Sequence, residues 1–245
     1  MTHAMPIIDW AGWLRRWDAQ QTAYLPDREA RFTAMLDALA VLLPEEFVAL
    51  DLACGPGAIS QRLLARFPRA RSVAVDLDPV LLAMGEAVLG DAGGRLRWVE
   101  ADLADPGWTA RLDESSFDAV LSTTALHWLP VEPLVRLYRD LGRLVREDGV
   151  VLNGDNLAFA PHQERLRLLA KVATERQEAE AFAVDGAEDW MNGGRPWYKN
   201  REPLIWWPSG RDASPVTTAL MVTRAPRSTI CMRRLCAMRG FARSG

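Results

Sequence analysis

Between Phe47 and Phe182 short apolar runs take turns with stretches whose apolar residues return at helical spacing, and this alternation leaves the chain very few folds. The runs are FVALDL (47–52), SVAVDL (72–77), RLRWVE (95–100), FDAVLS (117–122) and GVVLN (149–153). Helices are expected over Ile59–Phe67, Val80–Leu89, Val131–Val145 and Gln163–Phe182. Strands this rich in Val, Leu and Ala, mostly separated by helices, belong in a parallel sheet covered on both faces. Right-handed crossovers make that an open, doubly wound α/β sheet, whose ligand lies beyond the carboxyl ends of the strands. Upstream, Ile7–Leu43 reads as two helices broken at Pro26. Trp10, Trp13, Leu14 and Trp17 recur at helical spacing, and Asp27 is placed to cap Arg28–Leu43.

Composition narrows the class. With 245 residues, 49% of them hydrophobic, and a formal charge of −3, the chain can bury a substantial core and is no disordered tail. No run approaches the roughly 18–20 apolar residues of a membrane span, and MTHAMPIIDW has neither the basic start nor the apolar block of a secretory signal. Three cysteines, Cys54, Cys231 and Cys236, suit neither a disulfide framework nor a metal site. A cytoplasmic protein with no metal and no membrane partner is expected. The organisation reads as a helical cap over 1–44, a ligand-binding core over 45–189 and a distinct tail over 190–245.

Three acids end three successive strands. Asp51 closes the first, four residues before Gly55-Pro56-Gly57, and the next helix opens at that turn. Glycines there let backbone approach a ligand, and free N–H groups at a helix start favour a carboxylate or other anion. Asp51 would repel a pyrophosphate but suits a cationic amino group, and Ser60 stands where a dinucleotide fingerprint has its third glycine. A nicotinamide oxidoreductase is therefore disfavoured. Asp76 ends the second strand, 19 residues after Gly57, where a carboxylate can accept both hydroxyls of a ribose. Asp78, before Pro79, is the better helix cap. Asp102 follows the third strand and can accept from an exocyclic amine, with Leu77 and Leu103 placed to sandwich a ring; alone, it would be a loop cap.

The series DLACGPG, VAVDLDP, EADL and FDAVLSTTALHWL, over about residues 27–157, resembles the class I S-adenosylmethionine-dependent methyltransferases. It is most similar to the small-molecule branch that includes trans-aconitate methyltransferase-like proteins. The resemblance implies a Rossmann-like sheet of seven strands, the last two in an antiparallel hairpin, and S-adenosyl-L-methionine as cofactor. It also implies that Asp51 and the Gly55–Gly57 turn hold the methionine part, Asp76 the ribose, and Asp102 with the Leu103 backbone the adenine, with Ala53, Leu77 and Thr123 also among the cofactor-binding residues. The fourth strand runs into Ser122-Thr123-Thr124-Ala125-Leu126-His127-Trp128 rather than the Asn/Asp-Pro-Pro-aromatic motif of enzymes that methylate nucleobase amino groups, so a nucleic-acid partner is not expected. His127 can serve as a general base, or else pack a helix under the sheet edge. Asp155, in Asn153-Gly154-Asp155-Asn156, can orient or deprotonate an acceptor, or cap a loop. Trp13, Trp17, Gln20, Tyr24 and Arg28 are placed to lid the pocket, and Arg28 and Arg31 either meet an acidic substrate or form a solvated face. A small-molecule acceptor is expected; a non-catalytic cofactor-binding protein is the alternative.

The tail reads differently. Residues 190–245 carry 10 basic and 2 acidic groups, against 19 and 30 over 1–189. Periodicity is lost there. Codons read from their third base give WEAVVQ from residues 193–199 and HLHAAALRDAGLREVG from residues 229–244, the latter similar to the helix and strand near such methyltransferases' carboxyl ends. A one-base shift near 189–193, in the gene or in its recorded translation, is one explanation; a basic nucleic-acid arm or an unusual native cap are the others. If the translated chain is shifted, strands six and seven are expected to be missing and an edge of strand five uncovered. The final hairpin is therefore in doubt from sequence.

Overall fold

The computed structural model describes residues 8–160, 162–183, 216–224 and 233–235. Helices α1 (Trp10–Tyr24) and α2 (Arg28–Leu42) precede strand β1 (Val48–Leu52). There follow α3 (Ala58–Arg66), β2 (Arg71–Asp76), α4 (Pro79–Leu89), β3 (Leu96–Glu100), β4 (Phe117–Thr123), α5 (Val131–Leu144), β5 (Val145–Ala158) and α6 (Glu164–Ala183). Strands β6 (Val216–Arg224) and β7 (Arg233–Leu235) complete the sheet. Its order is β3-β2-β1-β4-β5-β6-β7, with β1 to β5 parallel. The order reverses between β1 and β4, so the crevice expected of a doubly wound sheet opens at their carboxyl ends.

Both faces of the sheet are covered, and every residue of β1 is buried. Val48, Leu50 and Leu52 join Leu137 and Leu141 of α5 on one face, while Ala49 joins Leu63, Leu64 and Leu82 of α3 and α4 on the other. That second cluster also takes Phe32, Met35, Leu36 and Leu39 from α2. Helix α2 is thus a layer of the core, and the cap proper is α1. The break at Pro26 arises as expected, but Asp27 makes no side-chain cap: its carboxylate accepts from Arg31 Nε at 3.0 Å. Asp78 does cap α4, accepting from the N–H groups of Val80 and Leu81, with Pro79 in the first turn.

Beyond β5 the sequence expectation needs correction. Strand β6 pairs antiparallel with β5 from Val150–Arg224 to Ala158–Val216, and β7 pairs antiparallel with β6. The hairpin in doubt from sequence is present, and the edge of β5 is covered. The segments whose shifted codons give helix-like strings lie outside the described residues, Arg233–Leu235 excepted. No described helix is long and apolar enough to cross a membrane.

Candidate active site

The turn after β1 is built by backbone. Ala53, Gly55 and Gly57 have φ of 51°, 55° and 83°, the Cys54 N–H donates to Val75 O at 3.0 Å, and the Gly57 N–H donates to Cys54 O at 3.0 Å. The two glycines answer different demands. A Cβ on Gly57 would stand 2.5 Å from Cη2 of Trp98, so that glycine is spent on packing α3 against β3. A Cβ on Gly55 would meet nothing nearer than Trp17 at 3.8 Å and Leu81 at 4.0 Å. Gly55 therefore keeps space open beside Trp17 of α1, where a ligand can come close to backbone.

Asp51 is fully buried. Its Oδ2 accepts from the Ser60 N–H at 3.0 Å and the Ser60 hydroxyl at 2.7 Å, so the β1 acid caps the first turn of α3. Ser60, which breaks the dinucleotide fingerprint, is what holds Asp51. The other oxygen, Oδ1, has no partner. Burial pushes the Asp51 carboxyl up to about 7, Ser60 pulling it down and the nearby Asp76 charge adding to the rise. Burial likewise raises the Cys54 thiol well above its ordinary value, helped by both aspartates.

Asp76, 8% exposed, accepts from the Gly55 N–H at 2.8 Å and the Asp78 N–H at 2.9 Å. It ties the end of β2 to the glycine turn. Burial raises its carboxyl, and these N–H groups oppose the rise. Leu77 beside it is exposed. Leu103 is not its counterpart: its side chain is buried with Val99, Ala101 and Trp108, so the expected leucine sandwich has one face only. Asp102 is exposed and accepts from the Ala104 N–H at 2.8 Å, a loop cap.

The carboxyl ends of β4 and β5 form the other wall. The Ser122 hydroxyl donates to Leu52 O and the Thr123 hydroxyl to Gly154 O, both at 2.9 Å, so Thr123 is engaged between strands. Arg31 also donates to Gly154 O, at 3.2 Å, and Arg28 pairs with Asp18 at 2.9 Å. Both arginines are buried, not a solvated face. Thr124 has φ of 52°, and the chain turns there into the short helical turn Leu126–Trp128. That turn sets His127 against Asp155: the His127 N–H donates to Oδ2 at 3.0 Å, and Nδ1 lies 2.6 Å from Oδ1. Asp155 is buried and the imidazole about one-third exposed. Two strand positions from Asp155, on the same face, Asn153 donates to the Tyr138 hydroxyl at 3.3 Å. Burial raises the Tyr138 hydroxyl, and the Asp155 charge adds to the rise.

Sequence reading located Asp51, Asp76, His127 and Asp155 at one rim of the sheet but treated the last two separately. It passed over Tyr138 and the partnership of Gly57 with Trp98. The spacing of Asn153 and Asp155 by two along a strand was the available signal, since it puts both on one face. Among the described residues no group of His, Cys, Asp and Glu could hold a metal.

A doubly wound sheet with a glycine turn after β1, a buried acid ending β2 and a strand order that reverses between β1 and β4 is the arrangement in which nucleotide-like cofactors commonly bind. Residues 49–149 match the family model described as "Methyltransferase domain". A trans-aconitate 2-methyltransferase of Streptomyces avermitilis is 34% identical over 117 residues, covering 46% of this chain and 42% of that protein. A second, from Azoarcus sp., is 32% identical over 136 residues, 55% of this chain and 49% of that protein. The chain thus spans about half the length of these curated relatives or less. A crystal structure of an S-adenosylmethionine-dependent methyltransferase from Clostridium acetobutylicum shares the fold at a TM-score of 0.50 and 19% identity, over 60% of this chain and 57% of that one. Over residues 49–149 the core thus matches a methyltransferase domain, and over about half of its length the chain is similar to trans-aconitate 2-methyltransferases.

Proposed function

We propose that the chain transfers the methyl group of S-adenosylmethionine to a small-molecule acceptor in the crevice over β1 and β4. The observation that carries this reading is the pair of buried acids around the Gly55 turn. Asp51 keeps one buried oxygen without a partner, and the cofactor's cationic amino group would supply one. Asp76 stands where ribose hydroxyls would meet its carboxylate, beside the exposed Leu77, and the open space at Gly55 would admit the methionine part. The residues present fit the cofactor. When bound, it supplies an electrophilic methyl group; the chain's part is to hold that group, exclude water under α1 and align the acceptor. Ser60 supports this over a nicotinamide cofactor, because its side chain serves Asp51 rather than leaving room for a pyrophosphate.

The relatives' names point to a small carboxylic acid, and the end of β4 carries no Asn/Asp-Pro-Pro-aromatic motif of enzymes that methylate nucleobase amino groups. A cytoplasmic setting accords with the reading. Incubation with methyl-tritiated S-adenosylmethionine and extracts of small metabolites tests it: label should move to an extractable product. Tight S-adenosylhomocysteine binding with no transfer to any acceptor would instead favour a non-catalytic cofactor-binding protein.

A further inference from the structure

The crevice wall opposite the glycine turn carries more order than holding a cofactor requires. Asp155 is a buried side chain that meets His127 with each of its oxygens: Oδ2 accepts from the backbone N–H at 3.0 Å and Oδ1 lies 2.6 Å from Nδ1. The two are 28 residues apart, one on the turn after β4 and one on β5, so the contact is a product of the tertiary fold. A carboxylate at that distance fixes the proton on Nδ1, because a neutral imidazole with an unprotonated Nδ1 would face it lone pair to lone pair. The lone pair of Nε2 is then the basic one. The ring is about one-third exposed, leans on Trp128 with ring centres 4.5 Å apart, and sits at the same carboxyl-end rim as Asp51 and Asp76. A helix-packing histidine would need none of this.

Resting on the methyl-transfer reading above, we propose that His127 is a general base held in one tautomer by Asp155, and that the acceptor presents a proton to be removed: a hydroxyl, phenol or amine rather than a carboxylate. As the acceptor's oxygen or nitrogen forms its bond to the methyl carbon, the carbon–sulfur bond breaks and its electron pair stays on sulfur, which becomes a neutral thioether. The acceptor's proton passes to Nε2, and Asp155 balances the imidazolium. A carboxylate acceptor is already ionised and has no proton to lose, so a base oriented this carefully would be idle. Asp155 acts through His127 and is a positioning residue. The acceptor class therefore differs from the acid in the relatives' names.

The chain has only three histidines, so nitrogen-15 spectra of histidine-labelled protein can isolate His127, with His127→Gln assigning its signals. The expected result is a neutral ring protonated at Nδ1, replaced in Asp155→Asn by the form protonated at Nε2. A ring protonated at Nε2 in the unaltered protein, or no change in Asp155→Asn, overturns the proposal. In parallel, tritiated methyl transfer is compared between trans-aconitate and a panel of simple phenols, alcohols and amines. The expected result is a proton-bearing acceptor outpacing trans-aconitate, with kcat falling at least about a hundredfold in His127→Gln and Asp155→Asn, the scale of general-base catalysis, and KM for S-adenosylmethionine holding within about twofold. Trans-aconitate as the preferred acceptor, or turnover that survives His127→Gln, overturns it. S-adenosylhomocysteine affinity, measured on the same samples, separates the two readings: if binding is absent the methyl-transfer reading fails, whereas intact binding with the wrong tautomer sinks only the base.

Discussion

The two walls of the crevice are made by different means. Around β1 and β2 the key groups are aspartates answered by backbone: Asp76 takes the N–H groups of Gly55 and Asp78, and Asp51 caps the first turn of α3 at Ser60. Around β4 and β5 side chains also meet one another, His127 with Asp155 and Asn153 with Tyr138. A site built from backbone turns requires glycine and acid at set places in one stretch of chain. A site built from side chains requires only that the fold bring them together. On the proposed function, the first kind would hold the cofactor and the second could be retuned for an acceptor.

Glycine replacement probes the contrast with the largest effect. Gly57→Ala forces a Cβ to 2.5 Å from Trp98 at φ of 83°, and strain plus overpacking should cost about 2–4 kcal/mol in urea unfolding. Gly154→Ala on the other wall meets only Met35 Sδ at 3.3 Å and Thr123 Oγ1 at 3.4 Å; a flexible methionine can give way, so the loss should stay under about 1 kcal/mol. Equal losses would erase the distinction between the walls. Gly55→Ala should lie between in stability, about 1 kcal/mol for its positive φ, yet weaken S-adenosylhomocysteine binding more than either.

The pH response of Asp51 sharpens the cofactor side. Its folded value of about 7 lies above the usual carboxylate range. The sign follows: the fold favours the protonated acid, so this group's contribution to stability is whole below about pH 4 and is lost as pH rises through about 7. A cationic ligand reverses the preference. Affinity for S-adenosylhomocysteine should rise with pH across about 6 to 8, with proton release visible as a buffer-dependent heat. Asp51→Asn should flatten that slope; an unchanged slope would mean that Asp51 does not meet the amino group. The smallest effect belongs to the surface. Arg69 spans Glu45 and Glu46 at 3.2 Å with all three exposed, and Arg69→Ala should move stability by about half a kcal/mol or less.

The same contrast explains what could be read from the sequence. The strands and helices from Val48 to Ala183 fall within a few residues of their expected places, because hydrophobic period and the Gly and Pro breaks are local signals. Asp76 was legible for the same reason. The longer reach of β5, which pairs Val145 with Phe117 and then shifts register before Val150, was not, since a bulge with Asp148 at φ of 66° leaves no mark in the apolar pattern. Nor was the closure of the dyad: His127 and Asp155 were each recognisable, but only the parallel pairing of Thr123 with Gly154 sets their turns side by side. Asp155 reads from sequence as either an acceptor contact or a loop cap; in the fold it is buried and turned to His127.

The division of labour between the walls is tested most directly by calorimetric titration of S-adenosylhomocysteine into the unaltered chain, Asp76→Ala and His127→Gln. The account predicts tight binding, weakened by about 1–3 kcal/mol in Asp76→Ala, the scale for hydrogen bonds to a charged group, and unchanged within about twofold in His127→Gln. Equal affinity in all three proteins, or a loss in His127→Gln that matches Asp76→Ala, would contradict it.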